Sequence, residues 1–411
     1  MVLAVSAALI CAYIVIWTQV SATDIGRSDF TSFYVGGTLL RHGHGPQLYN
    51  EALQQTLHSA LIAPDREANL PFVNSPVAAA LMTPATFLPL EVAYRLWGAL
   101  ELAVLVIAVV VALRASPWAA GTSRDWKVAI AAAALASMGS WTVLLQAQWT
   151  PLVALGLALA YRDWTAGRNG RGAFLLVVTA GAVKPHLALA LIAFMLGWRD
   201  RKLLTGALLG GAALVIASLA LVGPSGVAGF LGIVAGSTTR WELRNMLSVV
   251  GLVGSFFGDG LTAHLLAALA SLGACAVALW LGDKVRRDHH RLAMALAGAA
   301  LLSLFAAPHA YSHDLVMLAP VVVWSAAEAL VRASDCTAGQ HSRLTNLPLL
   351  IWALLTAVAF ADFMDGAATP PGQLTGWALL IAASVACTAV ATNRAFARRV
   401  AAWLSVSTSA N

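Results

Sequence analysis

Residues 92–113 read VAYRLWGALELAVLVIAVVVAL, a continuous apolar run of the kind that recurs along the whole chain. A run of this length crosses about 30 Å of hydrocarbon as a helix. Inside a bilayer the backbone must satisfy its own hydrogen bonds, so a spanning segment is either a helix or a strand of a closed barrel. Barrel strands alternate apolar and polar residues and these runs do not, so the sequence predicts helices.

The composition of the whole chain agrees with that prediction. Of its 411 residues, 59% are hydrophobic and 11% are charged, whereas a soluble domain carries about 25% charged residues. The mean hydropathy is +0.77. We therefore expect an all-α polytopic membrane protein, with residues 1–411 forming a single integral membrane domain.

The apolar runs predict about twelve transmembrane crossings. They are residues 2–20, one net crossing within 76–113, then 128–146, 149–161, 172–183, 186–198, 203–222, 261–281, 292–308, 315–332, 347–361 and 374–392. Within 76–113, Pro76, Pro84 and Pro89 interrupt the first half, and proline breaks a helix. We expect a short dipping or tilted helix over 76–90 and a full span over 92–113.

The distribution of Lys and Arg predicts the orientation. With one net crossing in 76–113, 18 of the 25 Lys and Arg residues fall on one side, which the positive-inside rule assigns to the cytoplasm. We therefore expect a protein of the inner membrane with both termini in the cytoplasm and the long loops 21–75 and 223–260 on the non-cytoplasmic side. The net charge of +6 is explained by loops beside anionic lipid, and we expect no nucleic-acid partner.

The first apolar segment and the cysteines add little. Residues 2–20 are followed by small residues, which leaves open a retained first span or a cleaved signal peptide. The four cysteines are not placed to form an outer disulfide or a metal cluster.

Polar residues suited to chemistry collect on the predicted non-cytoplasmic side. Asp29 lies just beyond the first apolar segment, where a carboxylate stays ionised and can accept a proton. The other residues of this set are Asp24, Tyr34, Arg41, His42, His44, Tyr49, Gln146, Gln148, Lys184, His186, Arg240, Glu242, Arg244, His309, Tyr311, His313 and Asp314.

Several of these residues have structural interpretations that the sequence leaves open. Asp29 is a good N-cap residue for a helix beginning at Phe30. Lys184 lies between two short apolar segments, where a lysine at a kink can extend its amine towards the interface. Arg240 and Arg244 share one face of a helix and suit a surface that contacts lipid head groups.

A series of short motifs resembles a known family. They are Ser28-Asp29-Phe30 with Tyr34, Leu39-Leu40-Arg41-His42-Gly43, Ser75-Pro76, Ala147-Gln148-Trp149-Thr150, Lys184-Pro185 and Ser312-His313-Asp314-Leu315. Their order and spacing resemble glycosyltransferase family 87, whose members are GT-C enzymes similar to the polyprenol-phosphate-mannose-dependent mannosyltransferases. Ala147 and Thr150 depart from it, because they stand where the family has Gly and Asn.

The resemblance implies a GT-C-type helix bundle with a long first outer loop. It implies an inverting transfer of a hexose, with mannose as the first choice, from a polyprenyl-phosphate donor to a hydroxyl of a lipid-linked or glycan acceptor on the non-cytoplasmic face. It also suggests independence of cofactors and metals, although Asp24 and Asp29 are close enough in sequence to keep a divalent cation open.

The roles follow from what such a transfer needs, which is a base for the acceptor hydroxyl and cations for the departing phosphate. Asp29 is the predicted base, and Lys184, Arg240 and Arg244 are the predicted donor-phosphate ligands. The remaining predicted substrate-binding residues are Tyr34, Gln148, His186, His309 and His313, the histidines supplying hydrogen bonds or charge.

Two other classes of protein stay open. A secondary transporter or lipid flippase carries ionisable groups within its spans and paired repeats; here the predicted spans are almost free of charge, and Lys184 is the main exception. A non-catalytic membrane subunit would tolerate the loss of both Asp29 and Lys184.

Overall fold

The computed structural model describes residues 1–64, 70–240, 243, 246–334, 338–365 and 372–408; it describes their side chains except at 237–240, 334, 338–345, 365 and 393–408. The α-helices in this part of the chain are α1 (Val2–Thr18), α2 (Ala22–Arg27), α3 (Asp29–Arg41), α4 (Glu51–Ile62), α5 (Pro76–Met82), α6 (Leu90–Ala115), α7 (Arg124–Leu135), α8 (Met138–Gln146), α9 (Thr150–Thr165), α10 (Asn169–Val183), α11 (Leu189–Trp198), α12 (Arg201–Arg240), α13 (Val249–Phe257), α14 (Leu261–Arg287), α15 (Leu292–Ala306), α16 (Ala319–Ser334), α17 (Ala338–Asp365) and α18 (Leu374–Thr408). Short 3-10 helices cover Gly45–Gln47, Thr83–Phe87, Pro185–Ala188, His289–Arg291 and Ser312–Leu318. No strand occurs among the described residues.

Seven of the described helices are long and apolar enough to cross a membrane. They are Leu90–Ala115, Arg201–Gly236, Leu261–Arg287, His289–Ala306, Ser312–Ala333, Asn346–Met364 and Leu374–Thr392. In addition, α7 and α8 meet at 51° and together have the length and composition of an eighth span. The protein is therefore a helical, multi-pass membrane protein.

The predicted total of about twelve crossings is not confirmed. Four of the predicted spans correspond to α1, α9, α10 and α11, which have 17, 16, 15 and 10 residues. At 1.5 Å per residue, each is shorter than the roughly 20 residues that a bilayer core requires. Hydropathy locates these apolar runs but does not show whether the helix formed by each is long enough to cross the membrane.

Residues 76–113 divide as their prolines predict. A short helix, α5, continues into the 3-10 helix Thr83–Phe87, and the long α6 follows. Pro76 and Pro84 lie in the first turns of the two short helices, and Pro89 is the N-cap residue of α6. Proline is tolerated at these positions because the first N–H groups of a helix have no partner inside it.

The two segments predicted as long loops contain helices. Residues 21–75 include α2, α3 and α4, and residues 223–260 include the last part of α12 and all of α13. Gly223 has a φ of 67° and precedes Pro224, so α12 bends there. The part of α12 after this bend carries side chains that reach the candidate site.

Candidate functional site

A cavity of about 840 Å³ lies where several helices begin or end. Its polar wall consists of the start of α3, the turn between α8 and α9, the turn after α10 and the segment before α16. The polar side chains on that wall include Asp29, Gln146, Gln148, Lys184, His186, His309 and His313. The cavity is also lined by apolar residues, which include Leu70, Pro71, Phe230, Ile233, Val234 and Phe363.

Asp29 is held at the cavity wall by two glutamines. Its backbone N–H donates to Oε1 of Gln146 at 2.9 Å, and its carboxylate accepts a hydrogen bond from Nε2 of Gln148. The helix α3 begins at Asp29 itself, with Ser28 as its N-cap residue. Asp29 is therefore not the cap of a helix that starts at Phe30, and its carboxylate is directed across the fold.

The surroundings of Asp29 suit a proton acceptor. Burial raises the pKa of its carboxyl, while the Gln148 hydrogen bond and the charge of Lys184 lower it. The negative charge of Asp314 adds to the upward shift of the pKa. A carboxylate whose pKa is raised above its ordinary value is a stronger base than an ordinary aspartate.

The turn that carries Gln148 departs from ordinary backbone geometry. Ala147, between α8 and α9, has a φ of 48°, in the left-handed region that favours glycine. This is one of the positions at which the family pattern has Gly. Ala147 nevertheless adopts this conformation, and the residues on either side of it, Gln146 and Gln148, both form hydrogen bonds with Asp29.

Lys184 forms a buried ion pair. Its Nζ donates to Oδ1 of Asp314 at 2.6 Å, and the two side chains are 5% and 0% exposed. The Asp314 carboxylate also accepts from Oγ1 of Thr150 at 2.8 Å and from the backbone N–H of Tyr311 at 3.0 Å. Lys184 therefore does not extend towards the interface, and its amine has further N–H donors beside the cavity.

Three histidines line the cavity next to this pair. The rings of His186 and His309 are 5.8 Å apart edge to face, and Tyr311 lies between His309 and His313 at 4.8 and 5.9 Å. Nε2 of His186 is buried and makes no hydrogen bond within the described residues. Burial lowers the pKa of His309 to about 4, so this ring is neutral at pH 7. His309 can therefore offer hydrogen bonds, and its role at the site stays a prediction.

Other predicted site residues are placed differently. Tyr34 does not line the cavity; its hydroxyl donates to the carbonyl oxygen of Leu88 at 2.7 Å. Asp24, His42 and His44 are exposed and also lie away from the cavity. The side chain of Arg240 and the whole of Arg244 lie outside the described residues, so their role stays a prediction.

Two residues gain a role that the sequence did not give them. Asp314 was among the polar residues of the sequence but had no predicted role. Burying a lysine without a counterion is costly, and that cost is the signal that could have pointed to Asp314 as the partner of Lys184. Arg27, two residues before Asp29, also lines the cavity. Among the described residues, no group of three or more His, Cys, Asp or Glu side chains is arranged to hold a metal ion.

The comparison with family models identifies the chain. The model of glycosyltransferase family 87 matches residues 72–308, which is more than half of the sequence. The chain belongs to glycosyltransferase family 87. This member of family 87 is therefore a membrane glycosyltransferase, with a sugar donor and an acceptor as substrates.

The family 87 match also includes part of the site. Gln148 and Lys184 lie inside the matched region, and Asp29 lies ahead of it. The structure nevertheless joins Asp29 to the matched region through Gln146 and Gln148. Searches of curated proteins and of solved structures found no match.

Proposed function

We propose that this family 87 enzyme transfers a hexose, with mannose as the first sugar to test, from a polyprenyl-phosphate donor to a hydroxyl of a lipid-linked or glycan acceptor. The observation that carries the proposal is the position of Asp29, whose carboxylate lines the same cavity as Lys184 and the three histidines. A base and hydrogen-bond donors suited to a phosphate therefore share one chamber.

The proposed reaction is a single displacement. Asp29 takes the proton of the acceptor hydroxyl, the acceptor oxygen bonds to the anomeric carbon, and the bond from that carbon to the donor's phosphate oxygen breaks. The leaving group is the polyprenyl phosphate, and the configuration at the anomeric carbon inverts. One carboxylate is sufficient because a phosphate leaves without the strong acid that a glycosidase needs.

The donor phosphate is assigned to the hydrogen-bond donors of the cavity other than the two glutamines. Lys184 uses one N–H on Asp314 and has others for a phosphate oxygen. His186 can donate from Nε2 in the tautomer that is protonated there. Arg27 lines the same cavity, and Arg240 and Arg244 stay candidates from the sequence.

The apolar lining of the cavity supports a lipid-linked donor. Leu70, Phe230, Ile233 and Val234 line the same cavity as the polar groups. An isoprenoid chain needs a continuous apolar surface beside the site that holds its phosphate. The excess of Lys and Arg in the predicted cytoplasmic loops supports a site on the non-cytoplasmic face of the inner membrane, with both termini in the cytoplasm.

The test is the transfer rate of the purified Asp29→Asn variant with a polyprenyl-phosphate mannose donor. Loss of a general base lowers the rate by about 10²- to 10⁴-fold. Asp24→Asn is the matched control, because Asp24 is an exposed carboxylate away from the cavity. Normal turnover by folded Asp29→Asn would overturn the proposal, and turnover in the presence of EDTA tests for a divalent cation.

A transporter or flippase is the second candidate, favoured by the buried Lys184–Asp314 pair. Ionisable pairs within membrane segments are common on substrate pathways. Reconstitution in liposomes separates the two functions. Movement of a lipid-linked sugar between leaflets without a new glycosidic bond would favour transport, whereas a labelled glycosylated acceptor favours the transferase.

A further inference from the structure

A second depression, of about 460 Å³, lies between the N-terminal ends of α10 and α12. Three cationic side chains line it, Arg171, Arg201 and Lys202, together with the apolar Phe174 and Leu209. The helix α10 ends at Val183, beside Lys184 in the main cavity. The depression, here called the basic crevice, is therefore about 20 Å away from the candidate site along α10.

The shape of the basic crevice is fixed by close backbone contact. A Cβ atom on Gly206 of α12 would collide with the carbonyl oxygen of Gly170 in α10. A Cβ atom on Gly170 would lie 2.8 Å from the carbonyl oxygen of Lys202. These glycines hold the two helices together, so the cationic side chains surround a rigid floor.

The charge around the basic crevice is not balanced. Arg171 contacts Oδ2 of Asp163 at 3.2 Å, but Asp163 also pairs with two other arginines, Arg162 and Arg168. Neither Arg201 nor Lys202 forms an ion pair within the part of the chain that the structure describes.

The acidic neighbour Asp200 is already engaged. Its Oδ1 accepts the backbone N–H of Leu203 at 2.8 Å, and its Oδ2 accepts from Nδ2 of Asn169 at 3.1 Å. Asp200 therefore caps the start of α12. Its single negative charge is outnumbered by the three cations that line the crevice, so an excess of positive charge remains.

The crevice also adjoins a surface suited to lipid. The helix α12 contains a candidate membrane span, and only 17% of the residues in its most apolar stretch are buried within the protein. Leu208 and Leu209 follow the cationic residues along α12 and are 74% and 59% exposed. The cations at the end of this span match the charged head group of a lipid molecule, and the exposed leucines beyond them match its acyl chains.

We propose that the basic crevice binds the phosphodiester of an anionic membrane phospholipid, with an acyl chain lying over Phe174 and Leu209. Arg171 and Arg201 can each present paired N–H donors to phosphate oxygens, and Lys202 adds a third charge. Because α10 and α12 also supply Val183 and Phe230 to the main cavity, the bound lipid joins two of the helices that form its walls.

The test compares two double variants of the full-length protein in detergent. Arg201→Gln with Lys202→Gln removes two cations from the crevice, and Arg114→Gln with Arg124→Gln removes two exposed cations elsewhere on the same predicted face. Native mass spectrometry measures the binding of phosphatidylglycerol and phosphatidylcholine to each. We expect phosphatidylglycerol to bind the wild type and the control alike, and the crevice variant on the order of tenfold more weakly.

The outcomes separate the sources of the phosphate. Equal weakening in both double variants, or equal binding of the two lipids by the wild type, would overturn the proposal. Inorganic phosphate is the third ligand to be tested, after phosphatidylglycerol and phosphatidylcholine. If phosphate alone protects the wild type against thermal unfolding as well as phosphatidylglycerol does, the crevice serves a soluble phosphate and the lipid assignment fails. Size-exclusion profiles that match the wild type verify that the variants are folded.

Discussion

Two buried carboxylates near opposite ends of α9 are neutralised in different ways. Asp314 accepts a hydrogen bond from Thr150, the first residue of α9, and pairs with one buried lysine, Lys184. Asp163 lies near the last turn of α9 and is also fully buried. Its partners are three arginines, Arg162, Arg168 and Arg171, whose side chains are 32%, 49% and 59% exposed.

The two arrangements have different physical consequences. In the Lys184–Asp314 pair both charges are out of water, so each depends on the other for compensation. Around Asp163 the cations stay hydrated and three of them share one carboxylate, so each contributes little by itself. The buried pair fixes one amine beside the cavity, whereas the arginine cluster keeps an excess of positive charge at the end of the molecule that carries the basic crevice.

Asp314→Asn is expected to have the largest effect on stability. The substitution leaves Lys184 as a buried charge without its counterion, which costs about 3–5 kcal/mol. Thermal unfolding in detergent should show a clear fall in Tm. The control, Lys184→Met with Asp314→Leu, removes both charges and should recover most of the lost Tm. If Asp314→Asn kept the wild-type Tm, Asp314 would not depend on a single buried partner, and the proposed difference between Asp314 and Asp163 would be wrong.

Gln148→Leu should change the pH dependence of transfer. The Gln148 hydrogen bond lowers the pKa of Asp29 against the upward effect of burial, so its removal raises that pKa. A general base works only when deprotonated, and the rising limb of the kcat/KM profile should therefore move to higher pH. The control is Gln146→Leu, which removes the partner of the Asp29 N–H and should leave the limb in place. If the rising limb of the kcat/KM profile of Gln148→Leu lay at the same pH as that of the wild type, the assignment of Asp29 as the base would be contradicted.

Arg162→Gln should have the smallest effect. Arg168 and Arg171 still pair with Asp163, and an ion pair with a partly exposed arginine contributes less than about 1 kcal/mol. The expected change in Tm is correspondingly small, and transfer should be normal. Asp163→Asn serves as the control, because it removes the carboxylate charge that all three arginines share. If Arg162→Gln lowered the Tm as much as Asp314→Asn does, the arginine cluster would be as dependent on single partners as the buried pair.

Local features of the fold were predictable from the sequence. The three prolines within 76–113 interrupt the chain at the starts of helices, so the division into a short helix and a long span was readable. The number of crossings was not, because the apolar runs at α9, α10 and α11 were counted as crossings, whereas these helices have only 16, 15 and 10 residues. The limits of such short helices depend on turns such as the one at Ala147, whose left-handed backbone conformation no apolar pattern reveals.

The candidate site was predictable in its residue types and only partly in its contacts. Tyr34 follows Asp29 by five positions, a rotation of about 140° on a helix, so the two side chains face different directions. Ser32 and Phe33, at three and four positions, do line the cavity with Asp29. The partners of Lys184 and Asp29 are 130 and 119 residues away in the sequence, and pairings of that separation depend on how the helices assemble.

The separation between Lys184 and Asp314 also bears on how the protein is made. The lysine is synthesised 130 residues before its counterion, a delay of roughly 10 s at ordinary rates of translation. During that interval α10 and Lys184 leave the ribosome before the residue that neutralises the amine has been added. Completion of the cavity is therefore a late event in biogenesis, and chains released before Asp314 is inserted lack both the ion pair and a finished chamber for catalysis.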